Sequence, residues 1–175
     1  LLTKPNDTSP MRAKFFTSLL LVSIFSGSLA LGAPSAPKKS TKPNDSDLFA
    51  SGTEKLLAGD YAAAEKDLRA AIAADDKNAG AHNNLAFVLR KQGSVHFDEA
   101  LQQYNRALEL NDKLAEAYMY RGVLYQAMGK NDLALADHAR LLELGHEDLA
   151  KELQWVLDNG KEKEPPQFFG VVQKE

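Results

Sequence analysis

Residues 97–112, FDEALQQYNRALELND, repeat the pattern of residues 61–76, YAAAEKDLRAAIAADD, 36 positions further along the chain. Each stretch begins with an aromatic residue, has alanine at its fourth and eleventh places and ends in aspartate. Internal similarity at a fixed spacing is the signature of folds built from stacked repeats. The duplication therefore predicts a repetitive architecture.

The surrounding sequence has the apolar period of α-helices from residue 47 to residue 158, and no stretch predicts a strand. Helix-ending glycine and asparagine residues divide it into seven segments. The predicted helices are 47–58, 61–74, 80–92, 97–110, 115–128, 131–144 and 147–158.

Small residues recur at equivalent places in these helices. They are Gly52, Ala86 and Gly122 in the first helix of each pair, and Ala64, Ala100 and Ala134 in the second. The first series is spaced by 34 and then 36 residues, and the second by 36 and then 34. Two extra residues between the helices of the middle pair explain both series, since GSVHF at 93–97 replaces GDY at 59–61. Helices approach closely where side chains are small, so we expect these residues at the contacts within each pair.

A period of 34 residues made of two helices resembles the tetratricopeptide repeat (TPR). The matching residues are Leu48, Gly52, Gly59, Tyr61, Ala64, Leu68 and Ala71, then Leu85, Ala86, Gly93, Phe97, Ala100, Tyr104 and Ala107, then Tyr118, Gly122, Tyr125, Gly129 and Ala134. The resemblance covers residues 45–148 and implies an all-α TPR helix-turn-helix solenoid of three repeats. Asp76, Asp112 and His146 stand where a proline usually closes each repeat, and the aspartates are expected to cap the next helix instead.

The seventh helix is predicted to cover the open end of the third repeat, as a solenoid requires. Leu149, Leu153 and Val156 form its apolar stripe, and Trp155 lies away from that stripe. Residues 159–175 are predicted to form a flexible tail that contains an apolar cluster, Phe168, Phe169, Val171 and Val172. Two alternatives are that this cluster packs on Trp155 or docks on a partner.

The N-terminal part of the chain has the layout of a secretory signal peptide. From Met11, two basic residues precede an uncharged apolar stretch at 15–31, and small residues follow at cleavage spacing. Residues 1–32 are therefore interpreted as upstream residues and signal peptide, 33–46 as a flexible linker, and 47–158 as the TPR domain with its capping helix. This predicts a periplasmic or secreted protein, and the alternative is a membrane anchor formed by residues 15–31.

The composition argues against several chemistries. The chain of 175 residues has no cysteine, which excludes cysteine-ligated metals and thiol nucleophiles. Its net charge of −3 gives no reason to expect nucleic acid as a partner. His82 and His138 are expected to be core or half-buried residues, and no histidine pair has ligand spacing. We predict no enzyme, no metal site and no cofactor.

The TPR resemblance implies a binding surface, because the first helix of each repeat lines a concave groove that holds a peptide. The groove residues carried over to this chain are Phe49, Thr53, Asn83, Asn84, Phe87, Arg90, Lys91, Met119, Tyr120, Val123 and Gln126. Their chemistry suits an apolar peptide with a backbone or acidic contact. The predicted function is a non-catalytic module that binds a protein or peptide partner. The alternative is a structural subunit of a cell-envelope complex that acts by self-association, as a homo-oligomer.

One function of the family is not expected here. Relatives that hold the acidic C-termini of chaperones use a two-carboxylate clamp of lysine, asparagine and arginine residues. The corresponding places are held by Phe49, Thr53, Asn84, Glu116 and Tyr120, of which only Asn84 matches. A carboxylate at Glu116 would repel the ligand.

Overall fold

The computed structural model describes residues 44–163 and 171–172, and this part of the chain contains seven α-helices and no strand. The helices are α1 (Asp45–Leu57), α2 (Tyr61–Ala74), α3 (Ala79–Gln92), α4 (Phe97–Leu110), α5 (Ala115–Ala127), α6 (Asn131–Glu143) and α7 (Glu147–Asn159). Each predicted helix is present, with ends shifted by at most two residues. All described residues belong to one compact unit, Ser40–Glu175.

The helices pack in three successive pairs, α1 with α2, α3 with α4 and α5 with α6. The first helices of the pairs, α1, α3 and α5, also contact one another in that order. The last helix, α7, packs on both α5 and α6, so it covers the third pair. Leu149, Leu153 and Val156 are buried in that contact, as their stripe predicts.

Glycine allows two of these close contacts. A Cβ atom at Gly52 would lie 2.8 Å from Cγ of Leu68, so glycine lets α1 approach α2. A Cβ atom at Gly122 would lie 2.5 Å from Cδ2 of Leu153. Gly122 was expected at the contact between α5 and α6, but its tightest contact is with the capping helix α7. The reason is that α7 packs closely on α5 as well as on α6.

The middle pair accommodates the two extra residues in two places. The helix α3 is one residue longer than α1 and α5, and the connection at 93–96 is one residue longer than those at 58–60 and 128–130. Gly93 has φ of +125°, and a short 3-10 turn follows at Ser94–His96. The insertion therefore leaves the helix pairing unchanged.

The helix caps differ from the expectation for aspartate. The side chains of Asn44, Asp60 and Asn78 cap α1, α2 and α3 by accepting backbone N–H bonds. Asp76 and Asp112 do not cap, so this prediction is wrong. Both lie too early, because α3 begins at Ala79 after its cap Asn78 and α5 begins at Ala115 after Leu114.

The capping helix ends at Gly160, which has the left-handed φ of +69° that glycine tolerates best. Lys161, Glu162 and Lys163 follow, and Glu162 lies against α3. Among the described residues, no helix is both long and apolar enough to cross a bilayer.

Candidate peptide-binding groove

All eleven predicted groove residues lie on α1, α3 and α5, the first helices of the three pairs. Nine of them are buried, whereas Lys91 and Gln126 are half-buried. Asn83 and Asn84 are fully buried despite their polar side chains. The predicted surface exists as a face shared by three helices, but another part of the chain covers it.

Val171 and Val172, near the C-terminus, cover this face. They are 4% and 7% exposed and belong to the same apolar cluster as Phe49, Phe87 and Tyr120. These two residues fall in the segment predicted to be a flexible tail, so the structure differs from that expectation for them. The physical reason is that the groove offers a β-branched apolar pair both an apolar surface and hydrogen bonds for its backbone.

The side chain of Asn84 binds both polar backbone groups of Val172. Its Oδ1 accepts from the Val172 N–H at 2.9 Å, and its Nδ2 donates to the Val172 carbonyl at 2.7 Å. A primary amide has one donor face and one acceptor face, so it pairs with one residue of an extended chain as a neighbouring strand would. Asn84 therefore satisfies a buried backbone that would otherwise lose its hydrogen bonds with water.

Two neighbours fix the orientation of this amide. Nδ2 of Asn84 also donates to Oγ1 of Thr53 at 3.0 Å, and Nδ2 of Asn83 donates to Oδ1 of Asn84 at 3.1 Å. Thr53 comes from α1, so the first and second repeats hold the amide together. A preoriented buried amide loses little entropy when a backbone binds to it.

A basic corner lies at the C-terminal end of α3. The guanidinium of Arg90 donates to both carboxylate oxygens of Glu162, at 2.8 and 3.0 Å, and Nζ of Lys91 lies 3.3 Å from the same carboxylate. The guanidinium carbon lies 5.3 Å from the ring centre of Phe87 and 4.9 Å from that of Tyr120. The aromatic faces and the carboxylate together stabilise a cation that is almost fully buried.

Burial and charge shift the pKa values of groups around this corner, among them Glu162 and Tyr104. Burial by itself would raise the pKa of Glu162, but hydrogen bonds and charge from Arg90, with help from Lys91, outweigh it and lower that pKa. Burial raises the pKa of Tyr104, and the nearby Arg90 charge opposes this only in part. Glu162 is therefore an anion and Tyr104 a neutral phenol around neutral pH.

Sequence reasoning missed Glu162 as a groove residue and did not place the two valines there. Glu162 lies in the charged run KEKE, and such a run usually indicates a solvated segment. The valines were recognised as apolar, but no pattern in the sequence assigns them a place on the groove. Phe168 and Phe169, for which packing on Trp155 was one of the alternatives, lie outside the described residues.

The remaining candidates are structural. Trp155 is half-buried, away from the main stripe as predicted, and Nζ of Lys163 lies 5.3 Å from its ring centre. His82 is buried and hydrogen-bonded to Gln103, and His138 is half-buried, which confirms both predictions. Within residues 44–163 and 171–172, no three His, Asp or Glu side chains are arranged to hold a metal ion.

Comparison with protein families and curated sequences supports the repeat assignment. Residues 96–129 match the family described as TPR repeat. The chain is 36% identical over 117 residues to Tetratricopeptide repeat protein 36 of Xenopus tropicalis, covering 65% of this chain and 56% of that protein. It is 41% identical over 46 residues to a UDP-N-acetylglucosamine--peptide N-acetylglucosaminyltransferase of Giardia intestinalis, covering 26% of this chain and 3% of the enzyme. The chain thus spans 56% and 3% of the lengths of these relatives.

Solved structures share the architecture. MamA aligns with a TM-score of 0.54 at 22% identity, covering 60% of each chain. The first TPR domain of Spaghetti (RPAP3), bound to the HSP90 peptide SRMEEVD, aligns with a TM-score of 0.54 at 25% identity, covering 63% of this chain and 93% of the other. A chain of the CopN-Scc3 complex aligns with a TM-score of 0.56 at 15% identity, covering 70% and 81%. Residues 96–129 therefore match the tetratricopeptide repeat, and the predicted all-α, TPR-like solenoid fold is confirmed for the described residues 44–163 and 171–172.

Proposed function

We propose that this protein is a non-catalytic interaction module whose groove on α1, α3 and α5 binds an extended peptide segment of a protein partner. The observation that carries the proposal is the pairing of Asn84 with both backbone groups of Val172, because an extended peptide of a partner would make the same kind of contact. The TPR fold supports it, since one structural neighbour is described as bound to a peptide and another as part of a complex.

The ligand of the peptide-bound neighbour is not carried over to this chain. That neighbour is described with the acidic peptide SRMEEVD. Three of the clamp places for such a ligand are Phe49, Thr53 and Tyr120, and all three side chains are buried here. The groove of this protein is therefore suited to an apolar segment, with one acidic contact at Arg90.

The match to a glycosyltransferase does not lead us to propose a transferase activity. It covers 3% of that enzyme. We propose that the similarity reflects shared repeats, which in this protein serve binding.

We also propose that the protein is exported to a periplasm or secreted. The support is the sequence pattern of residues 11–32, with basic residues, an apolar stretch and small residues in signal-peptide order. N-terminal sequencing of the protein from fractionated cells tests this: a mature N-terminus near residue 31 or 33 is expected. An intact N-terminus that stays in membranes after a carbonate wash would favour the anchor at residues 15–31.

The binding function can be tested with a random-peptide phage library panned in parallel against the wild-type chain and against the variant Val171→Ser/Val172→Pro. Enriched peptides are then measured by calorimetry against Lys91→Glu/Gln126→Ala, which changes the two half-buried groove residues, and against Lys151→Glu on the exposed side of α7. We expect binding that the groove variant loses and the α7 variant keeps. No enrichment on either chain, or binding that is insensitive to the groove variant, would exclude the groove as a peptide site.

Self-association is the second candidate function, and one observation favours it. Leu135 and Leu142 lie seven residues apart on α6, on one helix face, and are 49% and 50% exposed. Sedimentation of wild type and Leu135→Lys/Leu142→Lys tests this candidate. A concentration-dependent dimer that the lysine substitutions abolish would support it, and a wild-type monomer at all concentrations would exclude it.

A further inference from the structure

We propose that the C-terminal segment that carries Glu162, Val171 and Val172 is a built-in competitor for its own groove, and that the ligand it competes with is an extended peptide of the same chemistry. That chemistry is a β-branched apolar pair whose backbone binds Asn84, together with a carboxylate that binds Arg90 and Lys91. This inference rests on the proposed function of the groove.

The geometry of Asn84 defines the first part of the ligand. The amide binds the N–H and the carbonyl of a single residue, so it selects extended backbone and reads no side chain. Specificity at this point comes from the apolar surface around Val171 and Val172, which are both nearly fully buried. A peptide with a bulky or charged residue at these places would lose that burial.

The basic corner defines the second part. Arg90 binds Glu162 with two charge-assisted hydrogen bonds, and its side chain is only 5% exposed. Removing the carboxylate would leave a buried cation without its partner, so any ligand that replaces the segment must also supply an acidic group. This requirement separates the proposed ligand from a purely hydrophobic peptide.

The contacts are of a kind that a competing ligand can replace. The segment binds the groove through three residues among those described, Glu162, Val171 and Val172, whereas α7 is held by a full apolar stripe. A segment joined to the domain by a short tether acts at a high effective concentration, on the order of millimolar. The segment lowers the fraction of molecules whose groove is open. The apparent affinity for a free ligand is the intrinsic affinity multiplied by that open fraction.

The test uses the full chain and a fluorescein-labelled synthetic peptide of residues 160–175 as the probe. Anisotropy titrations compare wild type with Val171→Ser/Val172→Pro, in which the proline removes the N–H that Asn84 accepts and the serine weakens apolar burial. We expect the variant to bind the probe at least ~10-fold more tightly than wild type, because its own segment no longer competes. Lys161→Ser, at an exposed position of the same segment, is the matched control and should behave as wild type.

Two further changes test the ligand chemistry. Asn84→Asp, added to the variant, should weaken probe binding by at least ~10-fold, because the carboxylate keeps the acceptor for the N–H but repels the carbonyl. Thr53 can turn its hydroxyl to donate to the new carboxylate, so the local fold has a replacement for the lost bond. A probe with Glu162→Gln should bind the variant ~10-fold more weakly than the natural probe, since Arg90 loses its anionic partner.

The outcomes separate this inference from the proposed function. If phage-selected peptides bind the groove but wild type and the variant bind the probe equally well, the segment does not compete and the inference is wrong. If neither chain binds the probe or any selected peptide, the groove function fails as well. A wild-type dimer that becomes monomeric in Val171→Ser/Val172→Pro would show exchange of the segment between two copies, and would overturn the intramolecular assignment.

Discussion

At the scale of the residue, two glycines allow close helix packing, and one buried amide provides the hydrogen bonds of the groove. Gly52 and Gly122 are required because a Cβ atom would enter a neighbouring leucine. Asn84 is required because its two faces match the backbone N–H and the backbone carbonyl of one residue, Val172. In each case the residue type required at one position is set by atoms of a distant part of the chain that packs against it.

Replacing Gly52 with alanine should destabilise the protein. The added Cβ would lie 2.8 Å from Cγ of Leu68 and 3.2 Å from its backbone nitrogen, so α1 and α2 must separate. Overpacking of this kind costs about 1–3 kcal/mol, which exceeds the roughly 1 kcal/mol that alanine gains over glycine in a helix. Urea unfolding measures the free energy.

A double-mutant cycle with Leu68→Ala serves as the control for Gly52→Ala. The cost of the added methyl group should shrink in the Leu68→Ala background, because Cγ is no longer there. An equal cost in both backgrounds would mean that the contact with this side chain is not the cause.

At the scale of the element, a polar contact between the helices of a pair recurs in the first and third repeats. Asp67 of α2 binds Ser51 and Lys55 of α1. Asp137 of α6, at the equivalent place, binds the guanidinium of Arg121 of α5 at 2.6 and 3.0 Å. These contacts fix the register of the two helices in each pair, which apolar packing alone specifies less strictly.

Arg121→Met should be strongly destabilising. It leaves the Asp137 carboxylate, whose side chain is 4% exposed, buried without a cation, and breaking such a pair typically costs about 3–5 kcal/mol. Thermal and urea unfolding measure the loss. Arg106→Met breaks an exposed pair with Glu109 in α4 and should leave the unfolding midpoint near that of wild type. Similar losses in both variants would contradict a special role for burial.

At the scale of the whole molecule, residues more than 70 positions apart in sequence close the groove. Glu162 reaches Arg90, and Val172 reaches Asn84. The repeats supply the face, and Glu162, Val171 and Val172 lie on it. Val171 and Val172 belong to the same apolar cluster as Phe49, Phe87 and Tyr120.

Acid should weaken the contact between the C-terminal segment and the groove. The pKa of Glu162 is lowered in the docked state, so the docked state binds fewer protons than the undocked one and falling pH favours release. The contribution is complete above the ordinary glutamate pKa of about 4.3 and is lost as pH falls through the lowered value. Arg90, Lys91, Tyr61 and Tyr104 face this carboxylate, and the pKa values of Arg90, Tyr61 and Tyr104 are raised from ordinary values that already lie far above that range.

The amide resonance of Val172 in NMR spectra, followed from pH 7 downward, reports this release. Glu162→Gln should remove the pH dependence attributed to this carboxylate, while leaving the acid unfolding of the helices in place. A Val172 resonance that moves only together with the helical core would show that the segment does not detach separately.

The sequence by itself determined the helices, their pairing into repeats and the capping role of α7. These features depend on local propensity and on the spacing of apolar and small residues, which the chain carries in its order. The resemblance to the tetratricopeptide repeat also implied which helices carry the predicted groove residues, and all of those residues lie on α1, α3 and α5.

Only the tertiary structure decided what lies on the groove and which helix Gly122 admits. Val171, Val172 and Glu162 have no local pattern that assigns them a partner, because their contacts depend on the path of the chain after Gly160 and on three-dimensional matching to Asn84 and Arg90. The same holds for Gly122, whose spacing indicates a close contact but not whether α6 or α7 makes it. Long-range contacts are specified by complementary surfaces that form only when the repeats have stacked, and no periodicity in the sequence encodes them.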